Sequence, residues 1–521
     1  MCAAMDYQEI HRQLLNPATY PEPTGSVVFV ETHISRVYLT DTRAYKLKKP
    51  LNLGFLDFST LERRGFFCAE EVRLNRRFAP DLYLGVAELR SAGGVLHMDG
   101  PGTLIDFAVR MCRLPEARML DRLIEESSVE LPGEIERLAR HLGPLLASAP
   151  ICRDAGGDGS AAAIRANCQE NLDESTAAIG HALTAQAHRT MAALISAQFT
   201  QLDPLLRDRQ ARGFVRDGHG DLHARNICMT EPIQIYDCIE FCRRFRVADV
   251  AAELAFLLMD LDYRGRRDLA ERFHLAYQEH AADPDLPRLL PFYKSYRAWV
   301  RGKVEFLLAN EAEVAVETRR HALERSRRYF NLALGYQVPP MLLLTIGLMG
   351  VGKTTLARAL ATALGAELLR SDVIRKELAG TPAAHACSDA FDTGLYAPAI
   401  SRRTYAELRQ RAERLLRLGK TVIVDASFAR SAERQAFLAL AGELALPVRL
   451  LHVHCDRATA MTRLAQRRAD GQDASDGRAE LVDAQAASFE PPGSAPGLIT
   501  IDSSAAVDYN VQAVICHLAT R

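Results

Sequence analysis

The sequence predicts a two-lobed α+β domain followed by an α/β domain with a parallel sheet flanked by helices. Three observations support this prediction. The 521 residues exceed what a single hydrophobic core usually supports. After residue 340, apolar strand patterns alternate with helical patterns, which is typical of a parallel sheet with crossover helices. Before that residue, a β-rich stretch precedes mostly helical patterns, which indicates a small β-containing lobe and a helical lobe.

The main domain boundary is predicted at residue 338. Val338-Pro339-Pro340 follows an Arg-rich helical pattern and precedes an apolar strand, and consecutive prolines stop a helix. We therefore assign residues 1–337 to the first domain and 338–521 to the second. Within the first domain, the small lobe is expected at about 25–115 and the helical lobe at about 116–337.

The small lobe is predicted to begin with a β-hairpin. Residues 27–50 alternate in polarity, are rich in β-branched and aromatic side chains, and are interrupted at Asp41-Thr42. Residues 61–78 have the apolar spacing of a helix, and residues 104–111 are typical of a short strand. From residue 172 onward the pattern is mainly helical.

In the second domain, strands and helices are predicted in strict alternation. The strands are expected at 341–346, 421–425 and 448–454. The helices are expected at 353–364, 402–418 and 431–445.

Composition and charge exclude several classes of function. Lysine plus arginine number 64 and aspartate plus glutamate 65, so no net charge attracts the chain to nucleic acid or to an anionic membrane, and neither partner is expected. The longest apolar runs are shorter than a membrane span, and the N-terminus lacks the basic-then-apolar pattern of a signal peptide. The eleven cysteines show no secreted-domain spacing. These features favour a cytoplasmic protein.

The first candidate site lies in the segment His219-Gly220-Asp221-Leu222-His223-Ala224-Arg225-Asn226. Asp221 precedes Asn226 by five residues, and Asp237 follows Asp221 by sixteen, at the end of a predicted strand. Phosphoryl transfer requires a group that orients an attacking hydroxyl and accepts its proton, together with hard oxygen ligands for Mg²⁺. Asp221 suits the first role, and Asn226 and Asp237 suit the second.

This motif resembles that of the aminoglycoside phosphotransferase and choline kinase branch of the protein-kinase-like fold, and the resemblance extends over most of the first domain. It implies that Lys46, on the second hairpin strand, holds the α- and β-phosphates of ATP and that Glu71, on the next helix, pairs with Lys46. Lys48 lies on the same face of that strand and is the alternative to Lys46. Residues 31–36, in the first hairpin, contain no glycine, so the Gly-rich phosphate cover is absent. Asp249 is expected to brace the catalytic loop, with a helix N-cap as the alternative.

A complete G-x4-G-K-T phosphate-binding loop carries the second candidate site. It runs from Gly347 to Thr354, between an apolar strand and an Ala/Leu-rich helix, which is the structural context that the motif requires. Its main-chain N–H groups are expected to cradle phosphates, with Lys353 reaching toward the transferred group. The Thr354 hydroxyl and Asp425, at the end of the next acidic strand, are expected at the Mg²⁺ ion.

Asp372 and Arg375 begin a further helix, which follows a strand expected between the helix at 353–364 and residue 371. At this place a carboxylate suits a substrate hydroxyl and an arginine suits an anionic group. Together with the P-loop, this Ser-Asp-x-x-Arg pattern resembles the small P-loop kinases related to gluconate kinase and zeta toxin. The resemblance implies that Asp372 is the catalytic or substrate-binding carboxylate, and that Arg467 lies in a lid whose tip is at 470–477. The alternatives are an N-cap for Asp372 and ordinary surface charge for the arginine. The predicted nucleotide-binding residues are Gly347, Gly350, Gly352, Lys353, Thr354, Thr355 and Arg467.

The two resemblances imply a bifunctional protein that uses ATP and Mg²⁺ to transfer γ-phosphate to a hydroxyl of a small molecule. One alternative is a regulatory or signalling NTPase whose first domain binds nucleotide without phosphorylating a substrate, which the missing glycines favour. Another is a toxin-like kinase of nucleotide sugars. Repair of nucleic acid by the second domain is disfavoured, because no basic tract with aromatic residues accompanies it. The acceptor is not specified, because acceptor pockets are built by variable helices and loops.

Overall fold

The computed structural model describes residues 7–54, 56–154, 156–281, 283–382, 393–470 and 478–520. The chain forms two compact units. The first unit comprises Met1–Asn167 and Gln201–Tyr293, and the second comprises Cys168–Thr200 and Lys294–Arg521. A compact unit defined by packing need not coincide with a domain defined by sequence, so the division at residue 338 stays a prediction.

The first unit begins with a six-stranded antiparallel sheet of order β1-β2-β3-β6-β4-β5. Its strands are β1 Val28–Glu31, β2 Ser35–Leu39, β3 Arg43–Lys48, β4 Tyr83–Ala92, β5 Val95–Met98 and β6 Thr103–Cys112. Helix α1 (Tyr7–Leu14) precedes the sheet, and α2 (Leu61–Asn75) packs on β4 and β6. The side chain of Thr60 caps α2 by accepting a hydrogen bond from the Arg63 N–H. The predicted hairpin, helix and strand of this lobe are confirmed.

The chain between the two large sheets is mostly helical and includes two short antiparallel pairs, β7 with β10 and β8 with β9. The elements of this stretch are, in chain order, α3 Leu120–Glu125, α4 Leu131–Ser148, α5 Ala161–Ser175, α6 Ala185–Arg212, β7 Val215–Asp217, β8 Ile227–Cys228, β9 Gln234–Ile235, α7 Arg243–Arg246, β10 Val247–Asp249, α8 Val250–Tyr263, α9 Arg267–His280, α10 Leu286–Ala309 and α11 Val316–Gly335. Helix α8, in the first unit, is buried from Val250 to Asp262. The catalytic-loop motif lies between β7 and β8, and Asp237 follows β9.

The second unit contains a parallel five-stranded sheet of order β12-β13-β11-β14-β15. Its elements are β11 Leu342–Ile346, α12 Lys353–Leu364, β12 Glu367–Arg370, α13 Ser371–Leu378, α14 Pro398–Arg417, β13 Val422–Asp425, α15 Ser431–Glu443, β14 Val448–His454, α16 Arg457–Asp470, α17 Val482–Ser488, β15 Leu498–Asp502 and α18 Val507–Ala519. Every residue of β11 is buried, as expected of a central parallel strand covered on both faces. The predicted alternation is confirmed. Helix α14 begins four residues before the predicted 402, because Pro398 suits the first helical position.

Helices that precede residue 338 fold with this parallel sheet. The Gln512 side chain, on α18, accepts a 2.8 Å hydrogen bond from the main-chain N–H of Thr184. Gly335, at the end of α11, lies so close to α12 that an added Cβ would stand 2.1 Å from the carbonyl oxygen of Ala363. These contacts explain why the second unit includes segments from the predicted helical lobe. Over the described part of the chain, no helix is both long and apolar enough to cross a membrane.

Candidate active sites

Asp221 and Asn226 are held together on the loop between β7 and β8. The Asn226 side-chain nitrogen donates hydrogen bonds to the main-chain oxygen of Asp221 (3.0 Å) and to its carboxylate (3.2 Å). Because the nitrogen is used in this way, the amide oxygen of Asn226 is the atom that remains to ligate a cation. His223, which lies between these two residues in sequence, has its Nε2 3.3 Å from Asp221 Oδ2. The predicted spacing therefore produces one compact loop.

Asp237 joins this loop through main-chain hydrogen bonds. The N–H of Tyr236 donates to the carbonyl of Asn226 (3.0 Å), and the N–H of Asp237 donates to the Tyr83 hydroxyl (3.1 Å). Asp237 has a left-handed φ of 64°, an uncommon conformation for a residue other than glycine. Its side chain remains 43% exposed. Main-chain hydrogen bonds thus hold Asp237 in place, and its carboxylate remains accessible to a ligand.

Lys46 contacts Glu71 and Asp237, two of the acidic residues that the sequence assigned to the first site. Its Nζ donates a 2.9 Å hydrogen bond to Glu71 Oε1 and a second hydrogen bond to Asp237 Oδ1. Burial by itself would lower the pKa of Lys46, but the carboxylates of Asp237 and Glu71 outweigh it and hold the pKa well above its usual value. Burial likewise opposes ionisation of Glu71, yet Lys46 and Lys48 lower the pKa of Glu71 to about 2. Both residues are therefore charged near neutral pH.

Lys48 occupies a different environment from Lys46. Its Nζ donates to Glu71 Oε2 at 2.7 Å and to Glu240 Oε1, and its side chain is fully buried. Only Lys46 reaches Asp237, so the geometry favours Lys46 as the lysine that meets the phosphates. Glu240 was missed by sequence reasoning. The only signal was a second acid three residues after Asp237.

Two buried acids of α8 hold the main chain on either side of Asp221. Glu253 Oε1 accepts a 2.7 Å hydrogen bond from the N–H of Gly220, and Asp260 Oδ2 accepts a 3.0 Å hydrogen bond from the N–H of Ala224. The prediction that Asp249 braces this loop was wrong. Asp249 instead caps α8 through the Ala251 N–H and forms a bidentate ion pair with the buried Arg209.

The second site is built on the P-loop between β11 and α12. Gly347, Gly350 and Gly352 have φ values of 143°, 80° and 91°, which other residues rarely adopt. A Cβ on Gly347 would also stand 2.4 Å from the carbonyl oxygen of Val453. Lys353 Nζ donates a 2.7 Å hydrogen bond to the main-chain oxygen of Leu348, inside the loop. Burial lowers the pKa of Lys353, and Asp425 and Asp372 partly restore it.

Thr354 and Asp425 meet beside this loop. Thr354 Oγ1 donates a 2.7 Å hydrogen bond to Asp425 Oδ2, and the Thr345 hydroxyl lies 3.3 Å from Asp425 Oδ1. Asp425 is almost completely buried, and Arg370 Nε is 3.6 Å from its carboxylate. The end of β13 therefore presents a charged oxygen to the first turn of α12.

The donor atoms at both sites fit a hard divalent cation. The first site offers carboxylate and amide oxygens, and the second offers a hydroxyl and a carboxylate, which are the ligand types that Mg²⁺ prefers. Within the described residues, no group of three or more His, Cys, Asp or Glu side chains is placed to hold a metal ion.

A cavity of about 560 Å³ adjoins the P-loop and contains the predicted carboxylate Asp372. Arg375 Nη1 lies 3.4 Å from Asp372 Oδ1, and its guanidinium is 4.4 Å from the ring centre of Tyr396. Beyond the P-loop, the cavity is lined by five arginines and three carboxylates, namely Arg375, Arg402, Arg409, Arg430, Arg467, Asp372, Asp425 and Glu433. Arg402 and Arg430 are exposed, and neither forms an ion pair with any residue that the structure describes. This wall of the cavity is therefore positively charged.

A second cavity, of about 790 Å³, shares Gly350, Gly352 and Arg467 with the first. Thr355 also lines this second cavity. Thr355 and Arg467, the two residues of this domain predicted to contact nucleotide outside the P-loop, therefore both lie at its wall. Arg463, one turn before Arg467, donates to the Ser503 hydroxyl (2.9 Å) and main-chain oxygen (2.8 Å). Of the predicted lid tip at 470–477, residues 471–477 lie outside the described residues.

The chain is similar to several known proteins. A family model described as an AAA domain matches residues 342–492. Uncharacterized proteins of Mycobacterium tuberculosis strain H37Rv and of Mycobacterium bovis are each 30% identical to the chain over 402 residues, which is 76% of this chain and 78% of each relative. A gluconokinase structure from Sinorhizobium meliloti 1021 has 18% identity and a TM-score of 0.26, and the match covers 34% of this chain and 92% of that one. The GDP complex of wild-type aminoglycoside 2'-phosphotransferase-IIIa has 11% identity and a TM-score of 0.39, and covers 62% of this chain and 98% of its own.

The antiparallel sheet carries the Lys46–Glu71 pair, and the parallel sheet carries the G-x4-G-K-T loop after β11. The chain that holds both sheets shares 30% identity with the mycobacterial relatives over 78% of their length. The chain therefore belongs to the same family as these mycobacterial proteins.

Proposed function

We propose that the protein is a bifunctional, ATP- and Mg²⁺-dependent phosphotransferase that moves γ-phosphate to a hydroxyl of a small molecule. The observation that carries this proposal is the convergence of charged groups distant in sequence. Lys46 and Asp237 are 191 positions apart and in contact, while Thr354 and Asp425 are 71 positions apart and hydrogen bonded. Such assemblies match what phosphoryl transfer requires, which is positioning and neutralisation of phosphate charge.

In the first site, Asp221 would orient the acceptor hydroxyl and accept its proton. Asn226 and Asp237 would hold Mg²⁺, which supplies charge neutralisation at the phosphates when bound. Lys46 would hold the α- and β-phosphates, and Glu71 would keep its ammonium in place. The hydrogen bonds of Asn226 to Asp221 support this assignment, because they fix the base and a metal ligand with respect to each other.

In the second site, the N–H groups of the P-loop and Lys353 would bind the phosphates, with Thr354 and Asp425 at the Mg²⁺ ion. Asp372 would accept the proton of the acceptor hydroxyl. The surplus of arginine in the adjoining cavity favours an acceptor that carries a carboxylate or phosphate, since Arg402 and Arg430 make no ion pair with the described residues. An anionic acceptor buried without positively charged partners would be far more costly in free energy than one bound beside these arginines.

A regulatory NTPase is the second candidate, and one observation favours it. The turn between β1 and β2 is closed by the N–H of Thr32 donating to the carbonyl of Ser35 and contains no glycine. Close approach of main-chain N–H groups to phosphates usually uses glycine. Under this alternative the first site binds nucleotide but transfers no phosphate.

The two candidates are separated by turnover measurements on the full-length protein. Asp221→Ala and Lys353→Ala are each expected to remove part of the ATP consumption stimulated by a pool of hydroxyl compounds, and the double variant should lose nearly all of it. Independent sites give losses that add. A matched control is Asp203→Ala on the exposed face of α6, where the carboxylate only pairs with Arg207. Stimulated turnover that survives Asp221→Ala unchanged would favour the regulatory alternative.

A further inference from the structure

Two lysines of β3 lie beside a single carboxylate, and the proposed reaction uses only one of them. A single lysine suffices to pair with Glu71, yet Lys46 and Lys48 alternate along the strand and both point to the same face. Each donates to a different carboxylate oxygen of Glu71, at 2.9 and 2.7 Å. Burying a second ammonium is expensive unless its charge and hydrogen bonds are satisfied. The second lysine is therefore expected to have a function of its own.

Lys48 connects helix α2 to the segment that contains Asp237 and Glu240. One of its carboxylate partners, Glu71, lies on α2, and the other, Glu240, lies in the segment that begins with Asp237. The Lys48 and Glu71 side chains are fully buried, and Glu240 exposes 4% of its side chain. The Phe58 ring centre lies 4.7 Å from Lys48 Nζ. The bridge from α2 through Lys48 to Glu240 is therefore formed by buried protein groups.

A second contact joins the same two elements. Asn75, one turn after Glu71 on α2, accepts a 2.8 Å hydrogen bond from the N–H of Cys238. The 237–240 segment is thus tied to α2 both through its backbone and through Lys48. Because Asp237 has a left-handed backbone conformation, its orientation depends on such external support.

Lys46 is not suited to provide this support once nucleotide binds. In the structure Lys46 donates to Asp237, the expected metal ligand. If Asp237 held Mg²⁺, the Lys46 ammonium would be repelled by the like charge and would be favoured nearer to the phosphates. Glu71 would then lose part of its compensation, unless a second cation stays beside it. Lys48 is that cation, since its partners include neither Asp237 nor the open site.

We propose that Lys48 and Glu240 are positioning residues, whose buried ion pair holds the Asp237 segment on α2 so that Asp237 can bind Mg²⁺ while Lys46 engages the nucleotide. The inference rests on the proposed function of the first site. Lys48 thus has a role different from that of Lys46. The Lys48–Glu240 pair controls how strongly nucleotide binding depends on Mg²⁺.

The test uses the full-length chain carrying Lys353→Ala, so that the first site reports alone. Binding of a fluorescent ATP analogue, mant-ATP, is titrated with Mg²⁺ at fixed nucleotide. The variant Lys48→Met/Glu240→Gln removes both charges together, because replacing a buried pair by neutral residues of similar size is often tolerated, whereas removing one partner is not. The control is Arg64→Met/Asp106→Asn, a partly buried pair (2.8 Å) that joins α2 to β6 at the opposite end of the helix.

For Lys48→Met/Glu240→Gln we expect a rise of about tenfold in the Mg²⁺ midpoint, which is the Mg²⁺ concentration at half-maximal mant-ATP binding. A change of this size is typical of coupling between charged groups in one network. The control variant should keep the parental midpoint. Glu240→Asp, which keeps the charge but shortens the side chain, should give a smaller shift in the same direction and serves if the double variant does not fold. If a folded Lys48→Met/Glu240→Gln variant had the same Mg²⁺ midpoint as the parent, the inference would be overturned and the proposed site would remain intact. If the double variant does not fold, an unchanged Mg²⁺ midpoint in Glu240→Asp would have the same meaning. Absence of Mg²⁺-dependent binding in the Lys353→Ala parent would instead overturn the proposed site, and this inference with it.

Discussion

Thr354 Oγ1 donates a 2.7 Å hydrogen bond to Asp425 Oδ2, which joins the first turn of α12 to the end of β13. The pair brings a hydroxyl and a carboxylate to the mouth of the P-loop, next to the buried Lys353 ammonium. In the proposed site these two oxygens belong to the Mg²⁺ environment. The neighbouring strand order explains the contact, since β11 and β13 are adjacent and parallel, so their carboxyl ends lie together.

Asp425→Asn is expected to weaken Mg²⁺-dependent nucleotide binding at the second site by about tenfold or more, because the amide keeps the shape of the side chain but loses its charge. Mant-ATP titrations in a Lys46→Met background isolate this site. Asp456→Asn, which alters an exposed carboxylate after β14, is the control and should bind like the parent. Equal affinity for Mg²⁺ in Asp425→Asn and the parent would remove Asp425 from the metal site.

Gly347→Ala is expected to abolish tight nucleotide binding at the P-loop and to destabilise the protein by about 1–3 kcal/mol, since the residue has a φ of 143° and no space for a Cβ. Gly442→Ala, in α15, is the opposite case, because nothing lies within 4 Å of its added Cβ. It should stabilise by about 0.4–1 kcal/mol. Thermal unfolding and nucleotide binding of both variants check the contrast, which a destabilised Gly442→Ala would contradict.

Glu253→Ala should lower kcat of the first site by about tenfold or more with a smaller effect on nucleotide affinity, because the N–H of Gly220 loses its acceptor and Asp221 loses its fixed orientation. Glu253→Gln retains an acceptor oxygen and should recover much of the rate. Steady-state kinetics with an identified acceptor provide the measurement. Identical rates for the alanine and glutamine variants would show that orientation of Gly220 does not limit the reaction.

His219 predicts a loss of stability in mild acid. Burial lowers the pKa of His219 to about 4 from 6.5, and the neutral ring donates to the Tyr236 carbonyl (2.9 Å) while accepting from the N–H of Asp221 (3.3 Å). Between pH 6.5 and 4 the unfolded chain binds a proton that the folded chain excludes, so stability falls as the pH drops through this window. The full effect is about 3 kcal/mol.

Urea unfolding at several pH values measures the effect, with His219→Gln as the variant that cannot titrate. The difference in pH dependence between the parent and this variant isolates His219 from other groups. A variant whose stability falls as steeply as that of the parent between pH 6.5 and 4 would assign the acid sensitivity to other residues.

The sequence predicted the elements of both sheets better than it predicted the contacts that complete the first site. The G-x4-G-K-T loop and the five-residue spacing from Asp221 to Asn226 are local, so one stretch of chain carries the whole signal. Lys46 and Lys48 have the same alternation and could not be separated until Asp237 and Glu240 were placed, 191 and 192 positions away.

The acids of α8 illustrate the same limit. Glu253 and Asp260 occur in a helix whose other residues are mostly apolar, and no local pattern shows that they accept hydrogen bonds from Gly220 and Ala224. The sequence offered two roles for Asp249, bracing of the catalytic loop and an N-cap. In the structure its place at the start of α8 makes it an N-cap.

The central claim is that one chain holds two separate Mg²⁺-dependent nucleotide sites. Equilibrium dialysis of the full-length protein with labelled ATP and excess Mg²⁺ tests it most directly, beside the variants Lys46→Met and Lys353→Ala. We predict two ATP molecules bound per parental chain, one per chain in each single variant and none in the double variant. A parental stoichiometry of one, or binding that persists unchanged when Mg²⁺ is chelated, would contradict the account.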